Sequence, residues 1–77
     1  MPIEVGPRDG GQVIKVTGDV DLYTSPELRQ TLMKAIGGAR GPVYVDLSEV
    51  TYMDSSGVAT LVEGLKTSGQ KKVDYVL

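Results

Sequence analysis

The sequence predicts a mixed α/β domain, a small β-sheet built in the order β-β-α-β-α-β with its helices packed on one face. Three observations point there. Two short alternating runs near the N-terminus are joined by a Gly/Pro-rich stretch. Apolar residues then recur at helical spacing over 28–36 and again over 58–65. Each of these stripes is followed by a further strand-like run. Strands linked through helices run parallel with right-handed crossovers, and two crossovers in one direction put both helices on the same face. At 77 residues the chain holds one small domain.

Each element has its own signal. Ile3-Glu4-Val5 alternates as a first strand, and Gly6-Pro7-Arg8-Asp9-Gly10-Gly11 is a turn by composition. Gln12 to Thr17 follows as a second strand, and the short connection implies an antiparallel hairpin. Ile14 and Val16 share one face; Val13, Lys15 and Thr17 share the other, so one side of the sheet is wet. Gly18-Asp19-Val20-Asp21-Leu22-Tyr23 turns toward the first helix. There Ser25 fits an N-cap and Pro26 the first helical position. Leu28, Leu32, Met33 and Ile36 form the apolar stripe, and Gly37-Gly38 ends it. Pro42 to Ser48 reads as the third strand, with Val43, Val45 and Leu47 opposite Tyr44, Asp46 and Ser48.

The second helix begins near Ser55–Gly57. Val58, Leu61, Val62 and Leu65 stand at i, i+3, i+4 and i+7, an amphipathic pattern. Lys66 complements the dipole and Gly69 stops the helix. Lys72 to Leu77 reads as a fourth strand. The sequence ends inside it, so a C-terminally truncated domain is expected. Val73, Tyr75 and Leu77 would then be left open, and self-association into a homo-oligomer is expected.

Composition removes several function classes. There is no cysteine to staple the fold and no histidine to serve as the common metal ligand or general base. A hydrolase using Ser55 or Ser56 would need Lys15 or Lys66 buried as its base, so no catalytic residue, metal site or cofactor is expected. Eight Lys and Arg against ten Asp and Glu give a net charge of −2 without a basic cluster, which argues against nucleic acid. No apolar run is long enough for membrane insertion. Met1-Pro2-Ile3-Glu4 has no signal-peptide pattern, so a cytoplasmic location is expected.

The chemistry concentrates in Tyr52-Met53-Asp54-Ser55-Ser56-Gly57-Val58, where a strand hands over to a helix N-terminus. Backbone N–H groups point outward there and the dipole favours negative charge. On local sequence alone, Ser55 reads equally as a cap or as a phosphoacceptor. A phosphate would add about −1.5 to −2 charge beside Asp54, and beside Asp21 if the first turn folds alongside. Asp19 and Asp21 read alone as turn formers, Ser56 as structural, and Gly57 as a site of close helix–strand packing. Tyr52 and Met53 read as sheet-face and core residues.

Gly18-Asp19-Val20-Asp21, followed by Val45-Asp46-Leu47-Ser48-Glu49-Val50-Thr51-Tyr52-Met53-Asp54-Ser55-Ser56-Gly57-Val58, resembles the STAS domain. More narrowly it resembles bacterial anti-sigma factor antagonists, over residues 3–77. The resemblance implies partner switching. Ser55 would be phosphorylated by a serine kinase that is also the anti-sigma factor. The unphosphorylated domain would bind that kinase and free the sigma factor, and a phosphatase would reset it. Asp19, Asp21, Asp54, Ser55, Ser56 and Gly57 form the implied partner-binding set, with Asp21 and Asp54 beside the serine. It also implies that residues 1–77 are a STAS domain lacking a C-terminal helix, strand and helix. The alternative within the family is a STAS subunit of a lipid or anion transporter, which needs no kinase partner.

Overall fold

The N-terminal hairpin is longer than its composition suggests. In the computed structural model, which describes residues 2–77, β1 covers Ile3–Arg8 and β2 covers Gly11–Val20. Arg8 pairs with Gly11, so only Asp9 and Gly10 form the turn. Both have positive φ, 46° and 83°, which is the type I′ geometry that suits the twist of the flanking strands. Gly6-Pro7-Arg8 therefore belongs to the strand and not to a loop. Pro7 is tolerated because β1 is an edge strand.

The remaining elements are α1 (Ser25–Gly37), β3 (Val43–Met53), α2 (Ser55–Gln70) and β4 (Tyr75–Val76). The sheet order is β1-β2-β3-β4; β1 is antiparallel to β2, and β2, β3 and β4 run parallel. The Gly-Asp-Val segment expected as a turn is strand. Thr17, Gly18, Asp19 and Val20 pair with Glu49, Val50, Tyr52 and Met53, which extends β3 well past Ser48. The ladder slips twice, between Lys15 and Thr17 and between Gly18 and Asp19, and Gly18 takes φ 89° at the second slip. An irregular ladder hides its period from pattern reading, so the sequence reads as a turn where the chain is extended.

The core lies between one sheet face and the helices. Ile14, Val16, Val20, Val43 and Val45 from the sheet meet Leu28, Leu32, Ala35 and Ile36 of α1 and Leu61 of α2. Burying each large side chain contributes about 1.5–3 kcal/mol relative to exposure. Arg29 of α1 forks onto Glu63 of α2 at 2.7–3.0 Å and sets the spacing of the two helices on their exposed side. The opposite sheet face is wet, carrying Lys15 and Glu49 at 3.9 Å and Arg8 stacked over Tyr44 at 4.6 Å.

Three helix expectations change. The residue preceding α1 is Thr24, and Ser25 is its buried first residue. In α2 the buried face is Gly57, Thr60, Leu61, Gly64 and Ser68, while Val58, Val62 and Leu65 are exposed. The small residues win because they let the helix backbone approach the sheet. Thr60 and Ser68 satisfy their hydroxyls on the helix's own carbonyls, at Ser56 and Leu65. Together with Tyr75 and Leu77, the displaced apolar stripe lines an open groove of about 260 Å³. Finally, α2 passes Gly69 and ends in a Schellman motif: the Val73 N–H donates to Ser68 O and the Lys72 N–H to Gly69 O. Lys72 occupies the left-handed position with φ 56°, a place usually held by glycine. The turn this makes consumes 71–74, so β4 is only Tyr75–Val76 and not Lys72–Leu77.

Candidate functional site

Parallel strands β2 and β3 end side by side. Their C-terminal ends place Asp19–Asp21 next to Tyr52–Ser55, and the Asp54 N–H donates to Val20 O at 3.1 Å. Both chains then turn into the helices α1 and α2, so both helix N-termini lie at this end of the sheet. In open α/β sheets this is the end at which binding sites form.

Asp54 is the N-cap of α2. Its backbone is extended, with φ −94° and ψ −174°. Its Oδ1 accepts from the N–H of Ser56 at 2.9 Å, from the N–H of Gly57 at 3.3 Å, and from the Ser56 hydroxyl. The Ser56 hydroxyl bond outweighs desolvation and, aided by the backbone N–H groups of Gly57 and Ser56, holds the Asp54 carboxyl below the usual carboxylate range. The cap role belongs to Asp54, not to either serine.

The two serines are therefore unequal. Ser56 is partly buried and its hydroxyl is committed to Asp54. Ser55 is exposed as the first residue of α2, and among the described residues no hydrogen bond engages its hydroxyl. One expectation needs revision. A phosphate here would not find the first-turn N–H groups free, because Asp54 already holds those of Ser56 and Gly57. Charge added at Ser55 meets a neighbouring carboxylate more than vacant donors.

Gly57 packs against the strands directly. A Cβ there would fall 2.6 Å from Met53 Cγ and 2.8 Å from Val20 Cγ1. Asp19 and Asp21 reach the same end of the sheet but spend their carboxylates locally. Asp19 accepts from the Thr51 hydroxyl at 2.7 Å across the β2–β3 ladder. Asp21 accepts from the N–H groups of Tyr23 at 2.9 Å and Thr24 at 3.1 Å, which closes an Asx turn ahead of α1.

Two residues at this end carry no mark in the sequence reading: Leu22 and Tyr23, which are 69% and 90% exposed. Tyr52, read as a sheet-face residue, is also exposed, as is Val58. The available signal was a pair of large apolar residues placed between a turn former and a helix cap, with no partner stripe to join. Among the described residues no three His, Cys, Asp or Glu side chains gather in a way that could hold a metal ion, and no helix is long and apolar enough to cross a membrane.

Residues 3–77 match the family model described as Mlab, STAS domain. The chain is 37% identical over 78 residues to the anti-sigma-B factor antagonist of Staphylococcus aureus (strain NCTC 8325 / PS 47), covering all of this chain and 72% of that protein. Among solved structures it is similar to an anti-sigma factor antagonist from Mycobacterium paratuberculosis, with TM-score 0.87 and 26% identity over 96% of this chain and 62% of that one. It also shares its fold with the Bacillus cell fate determinant SpoIIAA in its phosphorylated form, with TM-score 0.80 and 20% identity over 99% and 70% of the two chains.

Proposed function

The chain belongs to the STAS domain family, among the anti-sigma factor antagonists, and on that premise we propose that it is a phosphorylation-controlled binding module for an anti-sigma factor kinase. The unmodified Ser55 face binds the kinase and so frees a sigma factor in the cytoplasm. Phosphate on Ser55 ends that binding, and a phosphatase restores it. The observation that carries this reading is the contrast between adjacent serines: Ser56 is held by Asp54, whereas Ser55 stands exposed with an unengaged hydroxyl.

The mechanism needs no refolding. A phosphoryl group adds about −1.5 to −2 charge at neutral pH. It lands next to Asp54, whose carboxylate stays ionised and fixed by its cap bonds. A partner surface matched to a neutral hydroxyl then buries like charges against one another, which costs several kcal/mol. Because Asp54 already holds the Ser56 and Gly57 N–H groups, less of the phosphate's charge is taken up at the helix start and more is directed at the partner.

The test is incubation with the anti-sigma factor kinase of the same organism and ATP, followed by peptide mass mapping. Phosphate on Ser55 is the expected result. Phosphate mainly on Ser56 or Thr51 would overturn the assignment.

A further inference from the structure

The residues assigned so far to the binding face are small or charged, and none supplies a large apolar contact. Leu22 and Tyr23 do. They are 69% and 90% exposed, although the same chain buries Leu28 and Leu32 completely only a few residues later. Their exposure is not slackness. The loop that carries them is closed at both ends. Asp21 Oδ1 accepts from the N–H groups of Tyr23 and Thr24, and the Asp21 N–H donates to Thr24 Oγ1 at 2.8 Å. Thr24 Oγ1 in turn donates to Asp19 O at 3.1 Å, and the Ser25 N–H donates to Asp21 O at 2.8 Å. Two apolar side chains are thus held in solvent by a turn with a fixed shape, which reduces the ordering cost of binding through them.

Their place is beside the serine. Val20, two residues before Leu22, accepts from the Asp54 N–H at 3.1 Å, so the turn that carries Leu22 and Tyr23 leaves β2 next to the start of α2. Val58, one helical turn beyond Asp54, and Tyr52, at the end of β3, are 52% and 57% exposed. The surroundings are predominantly anionic. Residues 16–28 and 50–65 contain no Lys or Arg and contribute Asp19, Asp21, Glu27, Asp54 and Glu63, and the flanking cations Lys15 and Arg29 are paired with Glu49 and Glu63. An apolar pair in an anionic setting calls for an apolar cleft with a basic rim.

We infer that Leu22 and Tyr23 are the apolar anchors of the Ser55 face, seating in a basic-rimmed apolar cleft of the anti-sigma factor kinase. This rests on the antagonist reading above and adds to it the residues that supply affinity. A few buried aromatic or aliphatic anchors carry most of the energy of such interfaces, and tyrosine is prominent among them. The anchors also sharpen the switch. Once they seat, water is excluded around Ser55, so a phosphate there is desolvated against Asp54.

The experiment is calorimetric binding of the full chain to the anti-sigma factor kinase of the same organism. Wild type is compared with Leu22→Ala, Tyr23→Ala, Tyr23→Phe and, as a control on the far part of α2, Leu65→Ala. Tyr23→Ala and Leu22→Ala are each expected to weaken binding about 30-fold, the change expected of a hot-spot anchor. Tyr23→Phe and Leu65→Ala are expected to stay within about twofold of wild type, and all variants should give unchanged melting temperatures. Wild type binding with both alanine variants unchanged overturns the anchors and leaves the antagonist reading standing. Wild type failing to bind the kinase at all overturns the antagonist reading itself. Sedimentation showing that Tyr23→Ala abolishes a dimer of this chain, with kinase binding intact, assigns the patch to a second copy and also overturns the inference.

Discussion

Replacing Gly57 with alanine tests whether the position of Ser55 is set by helix–strand contact. A methyl group there falls 2.6 Å from Met53 Cγ, about 0.8 Å inside the 3.4 Å at which ordinary contact begins, and 2.8 Å from Val20 Cγ1. Val20 is fully buried at the end of β2, and Met53 is crowded at an inner carbon, so neither side chain has a free end to swing away. The start of α2 has to lift. Overpacking of this kind costs about 1–3 kcal/mol, and alanine returns up to about 1 kcal/mol as the better helix former. With the full offset the net expected loss is up to about 2 kcal/mol, centred near about 1 kcal/mol, which lowers the melting temperature of a domain this size by roughly 4–8 °C. Gly69→Ala is the matched control. A Cβ there meets nothing within 4 Å, so the same change should raise stability by up to about 1 kcal/mol. Thermal melts followed by circular dichroism read both. Ser55 lies two residues from Gly57, so phosphorylation by the kinase should fall in Gly57→Ala and hold in Gly69→Ala. Gly57→Ala melting at or above wild type, or both glycines responding alike, would refute the packing argument.

Three further outcomes are expected. Ser55→Ala should keep kinase binding while Ser55→Asp weakens it in part, since aspartate carries less charge than phosphate; equal calorimetric affinity for the two would remove the electrostatic account. Lys72→Gly should stabilise the chain by about 1 kcal/mol, because Lys72 holds φ 56° in the Schellman turn where glycine is unstrained; an unchanged denaturation midpoint would contradict it. Burial raises the Tyr75 hydroxyl from 10.0 to about 12, and it donates to Leu61 O. The fold therefore favours the neutral phenol. This contribution to stability is fully present below pH 10 and is lost as pH rises toward 12. Tyr75→Phe should lack that component of alkaline destabilisation, and a curve parallel to wild type between pH 10 and 12 would count against it.

Much of this molecule was legible in its residues, and the illegible parts share a cause. Element order, the hairpin and both helices follow from local periodicity and from Pro26, Gly37 and Gly38. Ser55 could be singled out because a strand pattern and a helix pattern meet there. What failed depended on contacts between distant residues. Gly18–Val20 is strand only because Val50, Tyr52 and Met53 lie alongside. The inward side of α2 is chosen by Gly57 and Gly64 meeting Met53 and Tyr75, not by the apolar stripe, which lies partly outward. Asp21 closes the turn its sequence suggests, whereas the role of Asp19 turns on a bond to Thr51 that no spacing rule encodes. Leu22 and Tyr23 went unremarked because exposure is a property of the finished surface.

The cation-free stretches at the Ser55 end have a counterpart. Arg40, Lys71 and Lys72 gather where the helices finish and line a common recess between 39–42 and 71–74, and Lys34 sits in the last turn of α1. Offset in part by Asp74 in the same recess, these cations leave the Ser55 end the more acidic one in a chain with a net charge of only −2. In the field of a basic partner it rotates as it diffuses, so collisions arrive serine-first more often than chance allows. Such steering acts on the rate of association and fades as salt shortens the Debye length toward about 8 Å at physiological ionic strength. Under the proposed function, the placement of a few basic residues at the helix ends therefore bears on how quickly the unmodified form would find its partner, independently of how firmly it is then held.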